Sequence, residues 1–333
     1  MDFIGKGCVN HLKECVKKDT LLFIQNGNLN RFKNVLLPLL EKTHVIYYTE
    51  ISANPKHEEI QKAQNILQDN KYDTIVAFGG GSVIDFAKAF RFYNNNHVPL
   101  VAVPTTAGTG SETTQFAVVY VNGVKTSLDD ISILPDVAIV DSQFIENAPQ
   151  YLKASCAMDA YCQAIESYWA KKATDESKKY ALQAIELCRK YLLEAVVTNH
   201  TEANEKMSLA AHLAGKAINI SRTTAAHALS YKVTSKYGIP HGHAVALSIA
   251  GLFEQNIEAL SCEEQNALFY AMQINKADIR SYFHKLMSEI GLEYNLEKLG
   301  ITAVDEIVDS VNMQRLSNNP KNLSRENLIR ILK

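Results

Sequence analysis

Up to about residue 148, short apolar runs bounded by turn residues alternate with segments of helical periodicity. The runs are "TLLFIQ" (20–25), "HVIYY" (44–48), "TIVAF" (74–78), "PLVAV" (99–103) and "DVAIV" (136–140). Between them lie "LNRFKNVLLPLLEK", "PKHEEIQKAQNILQDN" and "SVIDFAKAFRFY". This β-α-β-α order predicts a parallel sheet covered by helices, because parallel strands need crossover connections. "QFAVVYVNGVKTSL" reads as an inserted hairpin turning at Asn122-Gly123. After Pro149 the strand pattern stops. "SCAMDAYCQAIESYWAKKA", "ESKKYALQAIELCRKYLLEAV" and "EANEKMSLAAHLAGKAI" repeat apolar residues at helical spacing. The prediction is an α/β dinucleotide-binding domain over 1–148 and an all-α domain over 149–333, packed closely about a cleft.

Composition narrows the function classes. The chain has 333 residues, 47% hydrophobic and 21% charged, enough to bury a large core without staples. A formal charge of −2 offers no basic field for nucleic acid or an anionic membrane. The six cysteines (8, 15, 156, 162, 188, 262) form no CxxC pair and read as free thiols in a reducing compartment. No secretory leader opens the sequence, and no apolar run approaches the roughly 18 residues of a membrane span. The expectation is a cytoplasmic protein acting on a small molecule, with neither nucleic acid nor membrane as partner, assembled as a homo-oligomer, a dimer.

Chemistry first surfaces in "VAFGGGSVIDFAKA", where a strand, three glycines, a serine and a helix follow one another. Glycines let backbone approach a ligand, and the helix start turns its free N–H groups toward the loop. Gly80, Gly81 and Ser82 thus become candidates to hold a pyrophosphate; the alternative is a tight turn without ligand. A second loop, "VPTTAGTGSETT", offers the hydroxyls of Thr105, Thr106, Thr109 and Ser111. Two such loops at the carboxyl ends of adjacent strands match where open α/β sheets bind ligands.

Three of the ten histidines fall between residues 227 and 243. On one continuous helix His227 and His241 would stand roughly 21 Å apart, too far to share an ion. The intervening Gly238-Ile239-Pro240 breaks the helix and lets the chain return.

The ordered stretches "GGGSVIDFAKA", "PTTAGTGSE", "LPDVAIVD", "MDAYCQAIESY" and "HALSYKVTSKYGIPHGHAVAL" resemble the iron-containing (group III) alcohol dehydrogenase family. The resemblance implies a Rossmann-like domain and a helical metal-binding domain in a dehydroquinate synthase-like fold. It also implies NAD(P)-linked interconversion of alcohol and aldehyde at one divalent metal, zinc or iron, held by Asp159, His227 and His241. The chain departs from the pattern twice. Gln163 stands where iron-containing members carry a fourth ligand, a histidine, leaving that position to water or substrate. Tyr231 stands where a histidine relays a proton, and His243, not a ligand itself, is either the nearby substitute or a helix-start histidine that supports the groups around the metal. NAD-selective relatives place an aspartate after the first strand; here the position is Asn26, which permits NADP. Asp85 falls in the cofactor motif. Lys125, on the hairpin, points either to the cofactor or to solvent. Arg222, just before His227, either sits in a surface ion pair or puts a cation near the metal. The second case favours a small anionic aldehyde, and "SRTTAAHALSY" is similar to phosphonoacetaldehyde reductases. Glycerol dehydrogenase-like polyol oxidation, dehydroquinate synthase-like lyase chemistry and a non-enzymatic nucleotide-binding protein with a decayed metal site remain as alternatives.

Overall fold

The structure is a computed structural model and describes residues 1–95, 97–311 and 316–332. The chain divides into two compact units. The first holds Met1–Thr106 and Gly110–Ile145, the second Ala107–Thr109 and Glu146–Lys333. The division thus falls at Ile145 rather than 148, and three residues of the second hydroxyl-rich loop group with the helical unit.

The first unit runs β1 (Asp2–Ile4), α1 (Leu12–Cys15), β2 (Asp19–Ile24), α2 (Asn26–Leu40), β3 (His44–Tyr48), α3 (His57–Leu67), β4 (Thr74–Gly79), α4 (Gly81–Tyr93), β5 (Leu100–Pro104), β6 (Phe116–Val121), β7 (Val124–Asp129) and β8 (Val137–Val140). Six strands form one sheet in the order β1-β8-β5-β4-β2-β3, and every neighbouring pair is parallel. The two faces of β2 sort by alternation. Leu21 and Phe23 pack with Ile60, Val83 and Phe90 of α3 and α4. Leu22 and Ile24 pack with Phe32 and Leu36 of α2. Covered on both sides, the central strands read as unbroken apolar runs. Truncating a side chain such as Phe23 to alanine there costs about 3–5 kcal/mol.

Strand β1 was not legible in the sequence: three residues are too few for a pattern, and pairing with β8 alone defines it. The hairpin β6–β7 turns at Asn122 and Gly123, both at positive φ, which the primed turn of a two-residue loop requires. Neighbours of β2 reverse direction in the sheet: β3 lies on one side and β4 on the other. At this switch point lie the start of α2, at Asn26, and the turn between β4 and α4, at Gly80, the place where open α/β sheets bind ligands.

The helical unit contains α5 (Gln150–Trp169), α6 (Asp175–Val197), α7 (Thr201–Ser221), α8 (Ala225–Tyr237) and α9 (His241–Asn256), followed by shorter helices ending with Arg325–Leu332. Helix α5 packs against α6, α7 and α9. Every residue from Ala157 to Trp169 is buried. A helix buried on all sides is the core of its bundle. Its polar members Asp159, Gln163 and Glu166 are therefore cut off from water and must meet partners or ligands. Among the described residues no helix is long and apolar enough to cross a membrane.

Candidate functional site

Three helices bring the expected ligands together. Asp159 lies in the buried middle of α5. His227 sits in the first turn of α8, and α8 ends at Tyr237 with Gly238 at φ 68°, a left-handed cap. Pro240 then starts α9, whose first residue is His241. The chain folds back so that the rings of His227 and His241 stand 5.3 Å apart, centroid to centroid. Nε2 of His227 lies 3.4 Å from Oδ1 of Asp159, and Nε2 of His241 lies 3.9 Å from the same oxygen. One ligand atom from each of the three falls within 4.8 Å of the others. Gly242 makes this approach possible. A Cβ there would come 1.9 Å from the Ser155 carbonyl oxygen and 2.7 Å from the Asp159 Cβ. The glycine between the two histidines of "PHGH" thus serves the crossing of α5 and α9.

The donor set fits a divalent ion. Nε2 of His227 is buried and has no hydrogen-bond partner, a costly state for a polar atom unless something else engages it. One carboxylate and two imidazoles suit zinc or ferrous iron.

Glu166, which sequence reasoning missed, holds His227 from behind. Its carboxylate is wholly buried and accepts from Nδ1 of His227. It also accepts from the Thr224 hydroxyl (2.7 Å), the Thr224 amide (3.1 Å) and the Ala226 amide (2.8 Å) at the start of α8. Burial pushes the Glu166 carboxyl up, but His227 and these donors outweigh it and hold it below the usual carboxylate range. Burial pulls the His227 imidazolium down, yet Glu166 and Asp159 overcome it and hold the pKa up at about 9. The only signal in the sequence was the heptad interval from Asp159, which puts both acids on one helix face.

The remaining expectations for this unit divide. The Tyr231 ring lies beside that of His241, 6.3 Å between centroids, one turn past His227. His243 has both ring nitrogens engaged by the protein. Its Nε2 lies 2.6 Å from the Glu293 carbonyl, which can only accept, so Nε2 carries the proton. Its Nδ1 then accepts from the Tyr151 hydroxyl at 2.9 Å. Burial lowers its pKa, with the Glu293 carbonyl and carboxylate opposing. With both nitrogens engaged, His243 fastens α9 in place and is not arranged as a proton relay. Gln163 donates to the Thr109 carbonyl at 3.4 Å, while its Oε1 is buried with no hydrogen-bond partner. The Arg222 guanidinium donates to the Asn219 carbonyl at the end of its own helix, α7.

In the α/β unit the loops after β4 and β5 meet, with the Thr105 amide donating to the Gly79 carbonyl at 3.0 Å. The glycines differ in purpose. A Cβ at Gly79 would lie 2.5 Å from the Val83 side chain, so packing requires that glycine. A Cβ at Gly80 would meet only the Thr106 side chain, at 3.4 Å or more, and its φ of −73° is ordinary. Packing and backbone leave Gly80 unconstrained, as a ligand-facing position would be. Gly81 begins α4, and the Ser82 hydroxyl accepts from the Asn54 amide at 3.3 Å. Asn26 is exposed at the first residue of α2.

Asp85 and Ser111 belong to one hydrogen-bonded network. The Ser111 hydroxyl donates to Asp85, and the Val118 amide donates to Asp85 at 2.9 Å. Lys88, which the sequence reading overlooked, is fully buried and donates to Ser111, Thr114 and the Phe116 carbonyl. Burial lowers its pKa to about 8, with Asp85 and Glu112 opposing. Burial raises Asp85, with Lys88 chief among the opposing groups and Lys125 also contributing. The cluster pins residues 111–118 onto α4.

Residues 3–142 match the iron-containing alcohol dehydrogenase family, and residues 153–333 match the C-terminal part of the Fe-containing alcohol dehydrogenase family. The probable alcohol dehydrogenase EutG of Escherichia coli K12 is 35% identical over 71% of this chain and 65% of its own length. An NADPH-dependent butanol dehydrogenase of Clostridium saccharobutylicum is 32% identical over 76% of this chain and 72% of its own. The chain thus spans slightly less than two thirds of the first of these and somewhat more of the second. Sulfoacetaldehyde reductase of Bifidobacterium kashiwanohense, solved with NAD+, superposes with a TM-score of 0.92 at 29% identity, covering 100% of this chain and 96% of that one. The parallel sheet, the helical unit and these matches along nearly the whole sequence agree: the chain belongs to the iron-containing alcohol dehydrogenase family.

Proposed function

We propose that the protein is a metal-dependent, NAD(P)-linked oxidoreductase that interconverts a small aldehyde and its alcohol. The observation that carries this reading is the buried, unbonded Nε2 of His227 beside Asp159 and His241. Asp159, His227 and His241 would hold the ion, the carboxylate supplying the negative charge that neutral imidazoles lack. When bound, the ion supplies Lewis-acid polarisation of a carbonyl oxygen, and the nicotinamide supplies the hydride. The chain's own part is to orient these groups, exclude water and manage one proton. Tyr231, whose ring stacks beside that of His241, is the residue assigned to donate that proton.

The favoured substrate class is a small anionic aldehyde. Arg222 adopts φ 66° and ψ 167°, a region essentially reserved for glycine. Such a residue costs on the order of 1–3 kcal/mol and persists only where its surroundings impose it. Asn318 imposes it here, its side-chain amide donating to the carbonyls on either side, Ser221 (2.8 Å) and Thr223 (3.1 Å). A strained arginine five residues before His227 argues for use of its charge. The sulfonate-bearing substrate named for the Bifidobacterium relative supports the same class.

Neither coenzyme is excluded by charge at Asn26, and the two relatives are named for NADPH and solved with NAD+. NADPH is expected to serve at least as well as NADH, and Asn26→Asp should shift preference toward NADH by repelling the 2′-phosphate. Equal preference before and after the change would remove this position from the coenzyme site. The test of function is a panel of propanal, sulfoacetaldehyde and phosphonoacetaldehyde with NADH or NADPH and added Zn²⁺ or Fe²⁺. Metal-dependent consumption of reduced nicotinamide supports the reading, fastest with a charged aldehyde. No consumption with any combination sinks it.

A further inference from the structure

We propose that Glu166 is a positioning residue that fixes which nitrogen of His227 faces the metal, and does so with the same carboxylate that anchors the start of α8. The inference rests on the metal reading above and adds a residue to it.

Glu166 lies seven residues after Asp159 on α5, two turns along one face. Its two oxygens serve different partners. Oε1 accepts from the amides of Thr224 and Ala226 and from the Thr224 hydroxyl. These amides belong to the first turn of α8, where backbone N–H groups have no partner within the helix and the helix dipole favours an anion. The Thr224 hydroxyl is fixed in turn, since it accepts from the Trp169 indole at 3.1 Å. Three donors therefore lock Oε1, and locking one oxygen sets the plane of the carboxylate. Oε2 is then delivered to Nδ1 of His227.

The consequence concerns the ring. An ionised carboxylate has no hydrogen to give, so Nδ1 must carry one. The only nitrogen left to present a lone pair is Nε2, the atom 3.4 Å from Asp159. Glu166 thus selects the tautomer and aims the ring. It also ties the ligand from α8 to the helix that carries Asp159, so the spacing between the two ligands is set by one side chain.

Glu166→Gln isolates this role. Its amide oxygen can replace Oε1 and keep the three donors of α8. Its NH₂ then faces Nδ1, donor against donor, unless His227 moves its proton to Nε2, the wrong side for the metal. The chelator-stripped full chain is titrated with Zn²⁺ against a chromophoric competitor, alongside Thr224→Val, which loosens the same helix start without touching Nδ1. The expected result is a loss of about 10- to 100-fold in Zn²⁺ affinity for Glu166→Gln and near wild-type affinity for Thr224→Val. Imidazole ¹⁵N spectra of the Zn²⁺-loaded wild type should show the His227 proton on Nδ1. Wild-type protein that takes up no Zn²⁺ overturns the metal reading and this inference together. Wild type that binds while Glu166→Gln binds as tightly overturns this inference alone, as does an equal loss in both variants. A proton on Nε2 in the loaded wild type overturns it whether or not the variant folds.

Discussion

At the scale of single residues, three histidines within one short stretch of sequence have three environments. His227 is buried between two carboxylates, His241 is half-buried at a helix start, and His243 has both nitrogens committed. His227→Ala and His241→Ala should each abolish bound metal and turnover. His243→Ala should retain metal and lose stability, about 1–3 kcal/mol, because Tyr151 and the Glu293 carbonyl lose a buried partner. Metal content and urea midpoints of the three variants decide this; a His243 variant without metal would mean that the wrong histidine has been named. Arg222 makes an opposite demand. Arg222→Gly should relieve backbone strain and raise the melting temperature. It should also raise KM for a charged aldehyde about tenfold or more while sparing propanal, since a charged hydrogen bond is lost. Unchanged KM for the charged aldehydes would return Arg222 to a purely local role at the end of α7.

At the scale of elements, the turns between strand and helix are the proposed binding elements, and packing requires Gly79 but leaves Gly80 open. Gly80→Val should fold normally and lose nucleotide affinity, because nothing in the protein fills the space beside it except Thr106. Gly79→Val should fail earlier, in folding, since Val83 occupies the place of the new side chain. Calorimetric titration of NAD(P)H against both variants, after thermal melts, separates the two. Wild-type affinity in Gly80→Val would show that the loop is a turn and nothing more. The hairpin β6–β7 gains a reason at this scale: the Asp85–Lys88 network ties its base to α4.

At the scale of the whole chain, α5 and the consecutive helices α8 and α9 contribute one candidate ligand each, so ion binding there would be coupled to folding of the helical unit. Zn²⁺ at about 100 times its dissociation constant should stabilise the protein by roughly 2.7 kcal/mol, and chelation should reverse it. A melting temperature indifferent to saturating Zn²⁺ would contradict the shared site. What the sequence by itself determined was the partition between water and core. Unbroken apolar runs at β2 and β4, helical repeats after Pro149, and the Gly-Ile-Pro break were readable because each reflects local geometry over a few residues. The family motifs added the identities of Asp159, His227 and His241. The tertiary structure decided the rest. Glu166 looked like any acid on an amphipathic helix until α5 proved buried on every side. Lys88 gave no signal in the sequence, yet it ties Ser111 and the base of the hairpin to α4. His243 looked reactive until Tyr151 and Glu293, more than forty residues away on either side, claimed its nitrogens. The physical reason is common to all three. Hydrophobic pattern fixes which face of an element turns inward. Hydrogen-bond partners of a buried polar group come from elements distant in sequence, and only packing brings them within reach.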